Sequence, residues 1–212
     1  MAQFDPVDEI PGAPPTPEIP KFMIKMQGEN RLSIAPEIQA TLQLDINNYR
    51  KNSGVVRIDI PQSNDPVQGG TVAVIRTDIP GLDGRPIGGA SPEAIPAHIK
   101  NKPGTGGGSE FVLAHPRCKN HAERVALENL RIAIEGKLAT GELQPSQLMG
   151  CRVIMRVEQE PCNFCAGGLG ATKVKVPGVI KQFSTRFPAL LVEVRSPRAS
   201  RSYLVRAGNV EP

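Results

Sequence analysis

Tryptophan is absent from this chain, and it has only two tyrosines and six phenylalanines. Proteins that grip single-stranded nucleic acid without sequence preference stack bases on aromatic faces, so this scarcity of rings counts against such a platform. No apolar run approaches the roughly eighteen residues that a membrane-spanning helix needs. The N-terminus has no basic stretch followed by an apolar core, so no secretory signal is expected; a route out of the cell would come from something other than this sequence. Pro103–Ser109 is glycine-rich but contains no Gly-Lys-Ser or Gly-Lys-Thr, which excludes an NTPase phosphate loop.

Glycine and proline are abundant instead, at 21 each in 212 residues, so long irregular loops are expected. The hydrophobic share of 39% is enough for a packed core. The length allows one domain with an extended tail, or two small ones. A formal charge of +4 and a pI near 9.0 make a mild basic bias, compatible with a nucleic-acid substrate.

Two short stretches about forty residues apart carry the chemistry. His121-Ala122-Glu123 opens a run with helical spacing. Pro161-Cys162-Asn163-Phe164-Cys165 closes an apolar, strand-like run. One imidazole and two thiolates, from His121, Cys162 and Cys165, suit a zinc ion that keeps its fourth position open for water. Zinc lowers the pKa of that water, and a carboxylate that is not a ligand, Glu123, can then move protons. Cys162 and Cys165 are three apart, so the first turn of a helix presents both sulfurs to one ion and favours their thiolate form. A closed structural site is the competing arrangement. Cys118 stands three residues before His121 and could complete four ligands, and Cys151 is a further thiol. That arrangement leaves Glu123 and Pro161 unused, and a disulfide leaves His121 and Glu123 unexplained. His115 is another possible ligand, without a paired glutamate.

Along the chain, residues 1–20 hold six prolines among acidic residues and read as a linker. Residues 21–67 read as an N-terminal extension of unclear role. Phe22, Ile24 and Met26 suggest a strand, as do Val55–Ile60. Residues 36–49 could be helix or strand, with Leu42, Leu44 and Ile46 favouring strand by alternation. Residues 68–212 form the expected main domain. Thr71–Thr77 is a strand, 78–109 a long loop with one short helix from Ser91 to Lys100, and Glu110–His115 a further strand. The loop leads into the site, where His98 and Lys100 could touch phosphates. A helix follows, capped by Asn120, with Ala122, Val125, Ala126, Leu130, Ala133, Ile134 and Leu138 on its buried face. Its Arg131 and Glu135 read as a solvated ion pair. Gly150–Glu158 is a central strand, Cys162–Ala171 a short helix, and Leu190–Arg195 and Arg201–Arg206 an antiparallel hairpin.

The pair H-x-E and P-C-x-x-C, with this order of elements over about residues 68–207, resembles the cytidine deaminase-like superfamily. The resemblance implies an α/β, three-layer fold: a mixed five-stranded sheet flanked by helices, with a C-terminal antiparallel β-hairpin. It also implies a zinc-dependent hydrolytic deaminase that converts cytosine to uracil by attack of zinc-bound hydroxide, with His121, Cys162 and Cys165 on the metal and Glu123 as proton shuttle. The proline-rich leader, the Gly/Pro-rich insertion and the basic C-terminal end look most like bacterial polymorphic-toxin deaminase domains. By that likeness the chain is a secreted effector acting in the target-cell cytoplasm on nucleic acid, DNA ahead of RNA, and is covered by a cognate immunity protein. Phe164 is then a candidate wall of the base pocket, with core packing the alternative. Lys173, Lys175, Arg198 and Arg201 are candidate phosphate contacts on the basic flank, with a solvated hairpin the alternative. The competing functions are a deaminase of free nucleosides or nucleotides, and a non-catalytic structural-zinc module.

Overall fold

The computed structural model describes residues 36–53, 71–91, 110–113, 121–159, 161, 165–167, 175–195 and 203–210. In chain order these form α1 (Pro36–Ser53), β1 (Val72–Thr77), β2 (Ile87–Ala90), α2 (Ala122–Thr140), a 3-10 turn (Pro145–Leu148), β3 (Arg152–Val157), α3 (Val179–Arg186), β4 (Leu191–Arg195), β5 (Tyr203–Arg206) and β6 (Asn209–Val210). The strands make one sheet in the order β2-β1-β3-β4-β5-β6. β3 and β4 are parallel and every other neighbouring pair is antiparallel, so the sheet is mixed.

Strand alternation divides the sheet into two faces. Ala73, Ile75, Val153, Met155, Val157, Val192 and Val194 enter the main core with Ala126, Leu127, Leu130 and Ile134 of α2 and Ile180 and Phe183 of α3. Val72, Val74 and Ile154 point the other way and meet Leu42 and Ile46 of α1. Helices therefore cover both faces, and the fold is α/β in three layers. Each of the fully buried leucines and isoleucines contributes about 1.5–3 kcal/mol relative to exposure.

Several expectations change. The sheet has six strands, not five, because the chain turns at Ala207 (φ 49) and Gly208 (φ 78) and pairs Asn209–Val210 with β5. The segment at 36–49 is helix. Leu42 and Ile46, four apart, are wholly buried while Leu44 is 45% exposed. Asp45 shares the buried face because it receives Nε and Nη2 of Arg76 on β1 at 2.7 and 2.8 Å. The loop expected over 78–109 contains β2. Glu110–Leu113 is not strand, and Cys165–Gly167 is a turn rather than helix. Helix α2 is capped by His121, not Asn120, and ends at Gly141 in the left-handed region (φ 77). Arg131 is no solvated partner of Glu135. It is buried, and it also bonds Glu128 at 2.7 Å and reaches Glu110 at 3.4 Å. Arg186 of α3 closes this network onto Glu110 and Glu135. The strands expected at 22–26 and 55–60, and the helix expected after Ser91, lie outside the described residues.

The expectations that stand are β1, α2 and its apolar face, β3 at the sheet centre, and the β4–β5 hairpin. One end of the sheet collects the start of β1, the end of β2 and the ends of β3 and β4, as the pairs Val72↔Ala90, Ala73↔Val157 and Arg156↔Arg195 show. The N-terminus of α2 sits at this end. A Cβ on Gly89 of β2 would lie 2.5 Å from the Ala122 carbonyl oxygen and 2.4 Å from the Ala126 nitrogen. On the opposite face, a Cβ on Gly88 would lie 2.2 Å from the Tyr49 ring of α1. Only glycine fits between the two helices at positions 88 and 89.

Candidate metal centre

Three residues with ligand chemistry meet at this end of the sheet. His121 caps α2 in an extended conformation (φ −69, ψ 142), so its side chain leaves the chain just before the helix begins. Glu123 is in the first helical turn and is 4% exposed. The partial positive charge of the helix N-terminus favours a carboxylate there. Cys165 is buried in the turn 165–167 that follows β3. His121 Nδ1 and Cys165 Sγ are 3.3 Å apart. One ligand atom from each of His121, Glu123 and Cys165 lies within 4.8 Å of the others, so the cluster could hold a metal ion.

The cysteine is positioned from behind by α3. The Cys165 carbonyl accepts the Ile180 N–H at 3.3 Å, and the Gly167 carbonyl accepts the Gly178 N–H at 2.8 Å. Gly178 is the N-cap of α3, and a Cβ there would lie 2.3 Å from the Cys165 carbonyl oxygen and 2.6 Å from the Gly167 nitrogen. Helix α3 is held in turn by Gln182. Its carboxamide receives the Val112 N–H at 2.8 Å, donates to the Val112 carbonyl at 2.8 Å and donates to the Pro177 carbonyl at 2.6 Å. The end of β3 is tied down by Glu158, which accepts Arg50 Nε at 2.8 Å and the Val72 N–H at 2.9 Å.

The donor set fits zinc. Bond lengths of about 2.05 Å to nitrogen and 2.3 Å to sulfur at a tetrahedral angle put the two ligand atoms about 3.6 Å apart. The 3.3 Å between His121 Nδ1 and Cys165 Sγ is close to that edge. Imidazole and thiolate together are the ligand types that zinc takes.

Of the residues expected at the site, the structure brings together His121, Glu123 and Cys165. Lys175 is exposed, three residues before the Gly178 cap. Cys162, Phe164, Lys173, Arg198 and Arg201 lie outside the described residues, as do the alternative ligands Cys118 and His115. Cys151 is eliminated as a ligand. It precedes β3, at the other end of the sheet, and its Sγ donates to the Gln147 carbonyl at 3.1 Å. Burial, and then the charge of Asp78, pushes its thiol up to about 11. Such a thiol is a poor ligand near neutrality, because metals bind the thiolate. Gly89, Gly178, Gln182 and Glu158 are the positioning residues that sequence reasoning missed. None of the four carried a signal in the sequence, since all lie away from the two motifs or act through distant backbone partners.

No protein-family model matches the chain, and comparisons with curated proteins and with solved structures likewise find no match.

Proposed function

We propose that this chain is a zinc-dependent hydrolytic deaminase of nucleic-acid bases, converting cytosine to uracil, of the bacterial toxin type. The observation that carries the reading is the meeting of His121, Glu123 and Cys165 from two motifs 44 residues apart at His121 and Cys165. A mixed sheet with helices on both faces and an antiparallel β4–β5 hairpin also supports a cytidine deaminase-like fold. DNA is the first polymer to test. The effector route and a cognate immunity protein belong to the same reading and rest on the likeness alone.

His121, Cys162 and Cys165 would hold the zinc, with Glu123 left off it. When bound, zinc would supply a water acidic enough to ionise near neutral pH. Glu123, buried in the first turn of α2, would carry a proton from water to ring nitrogen N3. Hydrolysis would join the water's oxygen to C4 and break the C4–N4 bond, with Glu123 passing a further proton to the amine that leaves as ammonia. The burial of Glu123 and Cys165 keeps bulk water from competing for these protons.

The test is deamination by the zinc-loaded protein on single-stranded DNA, double-stranded DNA, RNA and free cytidine, with Glu123→Ala alongside. Conversion in a polymer, lost in the variant, supports the reading and names the substrate. Conversion of cytidine alone replaces it with a metabolic deaminase. No conversion anywhere with zinc bound sinks the cytosine reading and leaves adenine targets or a structural-zinc module.

A further inference from the structure

Helix α1 packs on the sheet face opposite α2 and α3, yet its last turn reaches the sheet end that carries the metal cluster. Arg50 Nε donates to Glu158 Oε1 at 2.8 Å, and its Nη2 donates to Oε2. The two side chains are 10% and 6% exposed. Glu158 Oε2 also accepts the Val72 N–H at 2.9 Å, and the Glu158 N–H donates to the Val72 carbonyl at 3.1 Å. One residue therefore joins the last turn of α1 and the start of β1 to the end of β3. Arg50 stands on a fixed base. The ring of its neighbour Tyr49 fills the space that Gly88 of β2 leaves, 2.2 Å from where a Cβ would be. A cation also suits the C-terminal turn of a helix.

The pair sits where the chain leaves the sheet for the cysteines. Cys162 comes four residues after Glu158, and Cys165 seven. The turn at Cys165 is held on its far side by α3, through the Gly178 and Ile180 N–H groups. On its near side Glu158 is the anchor. A metal ligand must stand within about 0.5 Å of its working position, which needs support at both ends of the segment that carries it. Stability alone is a weak reason for such a pair. Desolvating two charges offsets most of their attraction, and an apolar pair of similar size often does as well. What a two-pronged guanidinium–carboxylate contact adds is a fixed angle as well as a fixed distance. The other buried pair between α1 and the sheet, Asp45 with Arg76, lies farther from the metal end, since Arg76 pairs with Ile154 in the middle of β3.

We propose that Arg50 is a positioning residue of the metal centre: through Glu158 it sets where the cysteine-bearing segment leaves the sheet. The role rests on the reading of His121 and Cys165 as metal ligands. It gives α1, which lies ahead of the main domain expected at 68–212, a part in the site.

The test uses the full chain as Arg50→Gln and Arg50→Lys, with Asp45→Asn as the control that breaks the other pair. Two quantities are read. One is zinc affinity, by competition against a chromophoric chelator. The other is hydrogen exchange of the Gly178 and Ile180 amides in metal-free protein, taken relative to amides at the centre of β3. Arg50→Gln binds zinc about tenfold more weakly. It exchanges the two amides about three- to tenfold faster, as one loosened hydrogen bond implies. Arg50→Lys keeps the charge without the fork and recovers part of both, and it carries the test if Arg50→Gln does not fold. Asp45→Asn lowers the urea midpoint and leaves both quantities at the wild-type level. The proposal is overturned if the Arg50 variants match the wild type in both quantities, or if Asp45→Asn loses as much as they do. A wild type that takes up no zinc removes the metal reading, and amide exchange alone then decides whether Arg50 holds the turn.

Discussion

Replacing Gly178 by alanine tests whether α3 sets the position of the metal-side cysteine. The added Cβ would stand 2.3 Å from the Cys165 carbonyl oxygen and 2.6 Å from the Gly167 nitrogen, both backbone atoms. Neither can rotate away, so the turn and the helix must part by about 1 Å to reach ordinary contact. Overpacking of this kind costs about 1–3 kcal/mol. The bonds from Gly178 N–H to Gly167 and from Ile180 N–H to Cys165 stretch with it, at about 0.5–1.5 kcal/mol each if lost. A total of about 2–5 kcal/mol follows. The same displacement opens the 3.3 Å approach of Cys165 to His121. Loss of a supporting contact behind a metal ligand lowers affinity about 10- to 100-fold. The assays are urea unfolding of the metal-free protein and zinc competition against a chromophoric chelator. Gly136→Ala is the control, since nothing lies within 4 Å of a Cβ there and alanine is the better helix former. The reasoning fails if Gly178→Ala matches the wild type in both assays, or if Gly136→Ala loses as much.

Three further outcomes are expected. Glu123→Gln should keep zinc, measured by metal analysis, while deamination falls at least 10²- to 10⁴-fold; loss of zinc instead would make Glu123 a ligand. Asp45→Ala should cost about 3–5 kcal/mol in urea unfolding, because it leaves the 3% exposed Arg76 without its carboxylate, whereas replacing both with leucine should cost far less. Cys151 keeps its proton in the folded chain up to about 11, against an ordinary value of 9.0. Between those values the unfolded chain binds fewer protons, so stability falls as pH rises, by roughly 2–3 kcal/mol in all. Cys151→Ala should remove that part of the alkaline slope, read from urea midpoints at pH 8.5 and 11.

Elements with a regular apolar period were legible in the sequence. Val72–Thr77, the Ala122–Leu138 face and the two C-terminal strands announce themselves through side chains that meet one core. Helix α1 did not, because Asp45 occupies its buried face through a pair with Arg76, 31 residues away, which no local pattern reveals. Strand β2 did not, because Gly88 and Gly89 carry no pattern and are there for want of space. Helix α3 is eight residues long, and Lys181, Gln182 and Arg186 mask the spacing of Val179, Ile180 and Phe183. At the site the ligand types were legible from the motifs. The groups that hold them in place were not, since Gln182 and Glu158 act through backbone partners far away in the chain.

The parallel pairing of β3 with β4 has a kinetic consequence. Hairpins such as β4–β5 close short loops, whereas β3 and β4 meet only after the whole crossover through α3 has folded back. Cys165 lies inside that crossover and His121 precedes β3, so the two reach each other late on the folding route. A metal held between them finds no ready cradle in the unfolded chain and little in the transition state. Its grip is therefore felt on the way out: it slows unfolding and leaves the rate of folding nearly untouched.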